Sequence, residues 1–435
     1  MRKDVLADDF MTEPYWWRAA PPRAAPDAPL PGRVDVAIVG SGYTGLSAAL
    51  TLARAGRQVL VLDAGAPGFG ASTRNAGQVN RALKTGFREL ARSHGLARAT
   101  RYYREAARAL AYVEHLIERE QIACRFKRTG RYYAAHSPYA YERLARDTDG
   151  LKRHTGYEAD MVPRAEQGRH VGSERYFGGQ VVHGTGYLHC ALYHRGLLER
   201  ALGAGAEVVG GTRVEGVERD GAVVAVETAR GRVIARDAIV ATDGYALGQG
   251  GVLGHLRRRI IPIRTYIAAT EPVPEDVLRG VLPGGRPVID THKVVFHIQP
   301  SPDGERILFG GRAGRDDGSL EATAGRLHRH FARLFPALEG VRVSHCWDGF
   351  FGFSFDQLPH IGAHDGVHYA LGYCGTGIPL GTYLGHKLAL RVLGAAGAET
   401  AFDERRFPTI PLYTGEPWFL PALVRYYAFR DSLPG

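Results

Sequence analysis

Val34-Asp35-Val36-Ala37-Ile38-Val39-Gly40-Ser41-Gly42-Tyr43-Thr44-Gly45 is followed by the small and apolar residues 46–55 and then by Gln58-Val59-Leu60-Val61-Leu62-Asp63. The first run is short, β-branched and apolar, which suits a strand buried on both faces of a parallel sheet, and residues 46–55 have the length and composition of a crossover helix. The unit reads as β-α-β. Gly40, Gly42 and Gly45 supply a tight turn, close backbone approach to a pyrophosphate, and close helix-to-strand contact. Ser41, Tyr43 and Thr44 sit in the same turn, where a helix N-terminus offers unpaired N–H groups to phosphates. Asp63, with Ala64 behind it, ends the second strand, where an acidic side chain accepts hydrogen bonds from an adenosine ribose. A bound dinucleotide is expected.

A glycine triplet alone is weak in a chain with 56 Gly. Its weight here comes from coincidence: strand, triplet, helix and terminal acid occur together and in order.

At 435 residues and 45% hydrophobic, the chain can bury a large core and form two or three domains. No run approaches the roughly 18 apolar residues of a membrane span, and Met1-Arg2-Lys3 leads into Asp8 and Asp9 rather than a signal-peptide core, so a soluble, cytoplasmic protein is expected. Cys124, Cys190, Cys346 and Cys374 are widely spaced with no Cys-x-x-Cys, which fits reduced thiols better than a disulfide framework or a zinc site. The formal charge of +10 comes almost wholly from scattered Arg, with six Lys and one dense run, Arg257-Arg258-Arg259. A solvated surface explains it better than a nucleic-acid site, and no nucleic-acid partner is expected. An anionic small substrate is compatible with it.

Before Val34, Pro14-Tyr15-Trp16-Trp17 precedes a Pro/Ala-rich connector, 19–31. Paired tryptophans are costly to expose, so the arm should pack back on the body. After Asp63 comes Gly65-Ala66-Pro67-Gly68-Phe69-Gly70-Ala71-Ser72-Thr73-Arg74-Asn75-Ala76-Gly77-Gln78-Val79, small and polar enough to lie against a flat ligand. With the Tyr-rich arm and the glycine triplet, this loop resembles the D-amino-acid-oxidase-type flavoproteins, in particular the γ-glutamylputrescine oxidoreductase and glycine oxidase-like branch, which carries Gly-Ala-Ser-x-Arg-Asn-Gly-Gly-Gln. Ala76 stands here where the family has the first glycine of the pair.

The resemblance covers most of the chain from Tyr15 to Leu393 and implies FAD as cofactor. It places Gly70, Ala71, Ser72, Arg74, Asn75, Ala76, Gly77, Gln78 and Val79 around the flavin and its diphosphate, the backbone near Val214 at the adenine, and Ala241, Thr242 and Gly244 close to the diphosphate. Gly375, Thr376, Gly377 and Ile378, in Gly372-Tyr373-Cys374-Gly375-Thr376-Gly377, match a family motif beside the flavin ring. Noncovalent FAD is expected: some relatives attach flavin through a Cys near Cys346, but Gly349 aligns nearer that position.

Further along, Tyr102, Tyr103, Ala106, Leu110, Val113, Leu116 and Ile117 recur at helical spacing as a core face. His183, His189, Cys190 and His194 lack a fourth ligand at zinc spacing, so packing is the better reading and no metal is assigned. Pro302-Asp303-Gly304 signals a hairpin. The fold class expected is α/β, with α+β character in the second domain: a Rossmann-like FAD-binding domain formed discontinuously by 1–95, 168–250 and 345–400, a substrate domain with an antiparallel sheet formed by 96–167 and 251–344, and a C-terminal tail, 401–435, without a usable motif.

In that family FAD takes a hydride at N5 from the carbon beside an amine, and the imine formed hydrolyses. The partner implied is an amine or amino acid. Expected catalytic contacts are Tyr266, His297 and His360, and expected substrate contacts are Arg264 and Arg312. A family oxidase places Lys over the flavin on the strand that here reads Arg306-Ile307-Leu308-Phe309, so an electron-acceptor protein or quinone stays open beside oxygen. A flavin hydroxylase using NAD(P)H would need a second nucleotide unit, which is not seen. A flavin-containing RNA-modifying or regulatory protein would show salt-dependent tRNA binding.

Overall fold

The computed structural model describes residues 5–24, 29–245, 248, 250–311, 318–403 and 405–432. Arg33–Val39 and Val59–Leu62 are parallel neighbours, Val36 opposite Val59 and Val39 opposite Leu62, and the helix Tyr43–Arg54 connects them. Val59–Leu62 is buried throughout and Arg33–Val39 is buried from Val36 onward, as their apolar runs require, while Arg33 and Asp35 stay at the more open end. Glu207–Val209 extends this sheet beyond Val59–Leu62, and Gly231–Val240 flanks Arg33–Val39 on the other side. Gly231–Val240 also leads an antiparallel meander through Val223–Thr228 to Val214–Asp220, and pairs in parallel with Val367–Leu371, the inner strand of a hairpin with His360–His364.

Close packing on this sheet depends on missing side chains. The helix Gly377–Leu393 crosses Tyr43–Arg54 so tightly that a Cβ on Gly385 would stand 2.2 Å from the Thr44 carbonyl oxygen. The Leu96–Arg119 helix buries Tyr102, Tyr103, Ala106, Leu110, Val113 and Leu116 in the same core, as its spacing predicts.

A second sheet stands apart from the first. Among the described residues its order is Leu6–Met11, Val343–Ser354, Ile260–Thr270, Ile307–Gly311, Phe296–Pro300, Val288–Asp290, Arg131–Ala134, Gly179–Val182 and Ala159–Val162. Most neighbours are antiparallel, and the hairpin at Pro302-Asp303-Gly304 joins Phe296–Pro300 to Ile307–Gly311. Two pairings are parallel: Leu6–Met11 on Val343–Ser354, and Val288–Asp290 on Arg131–Ala134, so the sheet is mixed. Leu6–Met11, Gly179–Val182 and most of Val343–Ser354 fall inside stretches expected to belong to the dinucleotide domain, yet they are strands of this second sheet. Each is short or apolar on both faces, so its composition does not say which sheet it joins. No helix among the described residues is long and apolar enough to cross a membrane.

Candidate active site

One cavity of about 1440 Å³ runs between the two sheets, larger than the roughly 300–1,000 Å³ of a single small-molecule pocket. Its narrow floor is the glycine turn. Gly40 has φ +104°, and a Cβ on it would lie 2.9 Å from the Ala241 carbonyl oxygen; a Cβ on Gly45 would lie 1.9 Å from the Gly40 carbonyl oxygen. The missing side chains therefore let the turn pack directly on the end of the neighbouring strand and on its own helix. Asp63 Oδ2 accepts from the Ser41 N–H at 2.8 Å and from its hydroxyl at 2.6 Å, and His194 Nε2 donates to the Ser41 carbonyl at 2.7 Å. Burial lowers the pKa of His194, keeping the imidazole neutral. Ser41 is thus held from both ends, and the turn is fixed before any ligand arrives.

Above this floor lies the 70–79 loop, which the aromatic arm clamps. Trp16, fully buried, donates Nε1–H to the Asn75 carbonyl at 2.9 Å, and Trp17 donates to Thr73 Oγ1 at 2.8 Å. Trp347, from the second sheet, donates to the Arg74 carbonyl at 2.9 Å. The arm packs on the body because the loop supplies acceptors for indole N–H groups that burial would otherwise strand.

Gly40, Ser41, Gly42, Tyr43, Thr44, Asp63, Ala64, Gly70, Ala71, Ser72, Asn75, Ala76, Gln78, Val214, Ala241, Thr242, Gly375, Thr376, Gly377 and Ile378 all line the cavity. Five residues expected there do other work. Gly45 packs under Gly40, and Gly244 sits against the Phe351 backbone. Gly77, at φ +73°, leaves room for the Leu188 carbonyl. Val79 is buried in the core of the first sheet, and the Arg74 guanidinium lies 4.6 Å from both the Trp17 and Phe69 rings while pairing with Asp348.

The substrate-side expectations need more correction. On Ile260–Thr270 the cavity face is Ile261, Ile263, Thr265 and Ile267, which puts Arg264 and Tyr266 on the opposite face. Arg264 Nε meets Asp348 at 2.6 Å, and Tyr266 packs in the core behind the sheet. His360 is buried away from the cavity, stacked on Phe407 at 4.0 Å with its Nε2 2.9 Å from Asp356, to which Arg405 also pairs. Arg312 lies outside the described residues. His297 does line the cavity. Burial and the nearby Arg131 push its pKa down to about 4, and its Nδ1 is buried without a hydrogen-bond partner.

The histidines considered as metal ligands are engaged by protein groups: His183 meets Asp160, His189 Nδ1 accepts from the Leu192 N–H, and His194 holds Ser41.

The inner end of the cavity holds a cation that the sequence reading passed over. Arg131, 6% exposed, donates from Nη1 to the Tyr133 hydroxyl at 2.9 Å and from Nη2 to Gln78 Oε1, while Gln78 Nε2 donates to Gln299 at 2.7 Å. These partners are neutral. Its neighbours include Tyr157, whose phenol burial pushes up. Phe419, Leu420, Leu423, Val424 and Tyr427 from the C-terminal segment complete an apolar wall.

Comparison with known proteins now adds to this geometry. The family model described as FAD dependent oxidoreductase matches residues 35–391. The chain belongs to that family. This oxidoreductase is 32% identical to a probable oxidoreductase, OrdL, of Rhizobium meliloti (strain 1021), over 96% of this chain and 97% of that protein. It is 30% identical to γ-glutamylputrescine oxidoreductase of Escherichia coli (strain K12), over 92% and 93% respectively. The crystal structure of glycine oxidase from Geobacillus kaustophilus superposes with a TM-score of 0.69 at 22% identity, covering 88% of this chain and 99% of that one. That likeness concerns the fold.

The residues present fit FAD. The side-chain-free floor at Gly40 and Gly42 and the N-terminus of Tyr43–Arg54 suit a diphosphate. Asp63 lines the cavity at the end of Val59–Leu62, and the turn Cys374-Gly375 carries two consecutive positive φ values, +53° and +98°, ahead of the Gly377–Leu393 helix. The Cys374 and Thr376 N–H groups of that turn donate to the Gly352 and Tyr373 carbonyls, so donors for a ring carbonyl would come from the N-terminus of the Gly377–Leu393 helix.

Proposed function

We propose that the oxidoreductase oxidises the C–N bond of an amine bearing a carboxylate, giving an imine that water hydrolyses. The observation that carries this reading is Arg131: a buried guanidinium facing the cavity with only neutral partners among the described residues. A buried charge without a counter-charge is costly, and a substrate carboxylate would supply one, held bidentately. FAD, when bound, supplies the acceptor for the two electrons leaving the carbon.

The chain's own residues position and shield. Ile263, Ile267 and Phe353 present apolar walls that keep water from the reacting carbon. His297 is neutral at pH 7 and does not compete with Arg131 for the carboxylate, Tyr157 stays a phenol and does not compete with the carboxylate for Arg131, and the amine is set by placement rather than by a charged base.

Anaerobic mixing of the yellow protein with amines, amino acids, NADH and NADPH tests this reading. Bleaching by a carboxylate-bearing amine is expected. Rapid bleaching by NADPH and by no amine would reject it, and the reoxidation rate in air-saturated buffer then decides between oxygen and another acceptor.

A further inference from the structure

The outer end of the cavity is formed by two arginine-bearing helices. Arg88 and Arg92 lie one turn apart on Phe87–His94, Arg143 lies on Pro138–Thr155, and all three are exposed yet line the cavity. With Lys84 they set four cations against Glu89 and Asp147 at this rim. Arg146 beside them is paired with Glu142 at 3.3 Å, whereas Arg88, Arg92 and Arg143 have no carboxylate within ion-pairing distance among the described residues. Asp147, whose Oδ1 accepts from the Arg88 backbone N–H at 3.2 Å, interacts with both Arg88 and Arg143 without pairing with either guanidinium, so one carboxylate is shared between two cations. The same cavity therefore carries one buried cation at its inner end and, at its mouth, a rim where arginines outnumber carboxylates among the described residues.

We infer that the substrate is an amine with two carboxylates: one seats on Arg131, and the second is drawn to Arg88, Arg92 and Arg143. This rests on the reading of Arg131 given above and extends it to the second acidic group. Cations concentrated at a cleft mouth raise the local concentration of anions and their rate of entry, and salt weakens both effects. A neutral or cationic amine gains nothing from such a rim.

The test uses the FAD-loaded protein and two ligands that lack an amine, so it needs no turnover: glutarate, with two carboxylates, and butyrate, with one, each titrated against the visible flavin spectrum. Glutarate is expected to bind about tenfold more tightly at low ionic strength, a preference that shrinks as salt is raised. The triple variant R88Q/R92Q/R143Q should bind the two ligands equally. Its three positions are exposed, and retained FAD with an unchanged thermal midpoint shows that it has folded; the salt dependence of the wild type is an independent second readout. Equal affinities in the wild type, a preference that salt does not touch, no response to either ligand, or a preference surviving in the triple variant would each overturn the inference. Failure of the amine panel with the glutarate preference intact would remove the proposed reaction and leave the dianion site standing.

Discussion

Asp63 Oδ2 accepts two hydrogen bonds from one residue, Ser41, through the backbone N–H at 2.8 Å and the hydroxyl at 2.6 Å. The acid at the end of the second strand thus fixes the phosphate turn, its Oδ1 accepts from the Gly65 N–H at 3.0 Å, and the residue lines the cavity. Asp63→Ala should weaken FAD binding by about 1.5–3 kcal/mol, the range for hydrogen bonds to a charged group. Titration of apoprotein with FAD, followed by flavin fluorescence, measures this. An unchanged dissociation constant would show that the carboxylate serves neither the turn nor the ribose.

Arg131→Met should raise the half-saturating concentration of a carboxylate-bearing amine about ten- to a hundredfold, from the loss of a bidentate charged contact. Reduction by an amine without a carboxylate should change little. Arg131→Lys should recover only part of the loss, since an ammonium cannot reproduce the planar fork. Flavin absorbance of each variant guards against misfolding, and equal losses on both substrate types would remove the carboxylate role.

What the sequence made legible follows from locality. Phosphate and ribose contacts come from one contiguous β-α-β unit, so Gly40 to Asp63 can be read residue by residue. The substrate end is assembled from Arg131, His297, Gln78 and the segment around Leu423, which meet only after two sheets have formed. Arg264 was expected to face the ring, but both faces of Ile260–Thr270 are largely buried, and a functional cation and an outward one look alike in such a pattern. A signal for Arg131 did exist: Arg131 and Tyr133 share one face of a short aromatic strand, and a cation there is unusual enough to ask what it serves. His360 misled because the ring that buries it, Phe407, is remote in sequence and lies in a segment without a motif.

Stability should fall as the pH drops below neutrality. Burial lowers His189, His255, His297, His345 and His386 to about 4, against 6.5 in the unfolded chain. Between those values the unfolded state binds protons that the folded state refuses, so each histidine withdraws stability as the pH falls through this window. Asp243, Glu114 and Asp147, raised by burial, act in the opposite sense, gaining stability as the pH falls through their own titrations. Glu120, lowered to about 2 beside Arg54, and Asp356, lowered to about 2 beside His360 and Arg405, withdraw stability on acidification as the histidines do, so the falling contributions outnumber the rising ones. Urea midpoints should therefore be lower at pH 5.5 than at pH 7, and a midpoint that rises on acidification would show that the raised carboxyls dominate.

The flavin should leave the protein on denaturation. Covalent attachment needs a thiolate at the cavity, and Cys346 is fully buried on Val343–Ser354, packed in the core behind the second sheet, with burial pushing its thiol pKa up. The residues of that strand that reach the cavity are Phe351, Phe353 and Ser354, and Gly349, which aligns with the attachment position of some relatives, lies against the Arg74 side chain instead. Cys374 does line the cavity, but burial raises its pKa to about 12, and Sγ lies 3.2 Å from the Gly372 carbonyl, to which it donates, so the thiol form is favoured. Acid or heat should release all of the FAD into the supernatant, and Cys346→Ser should leave the flavin content unchanged. A denatured chain whose intact mass still includes a flavin, lost in Cys346→Ser or Cys374→Ser, would identify the attachment and overturn this expectation.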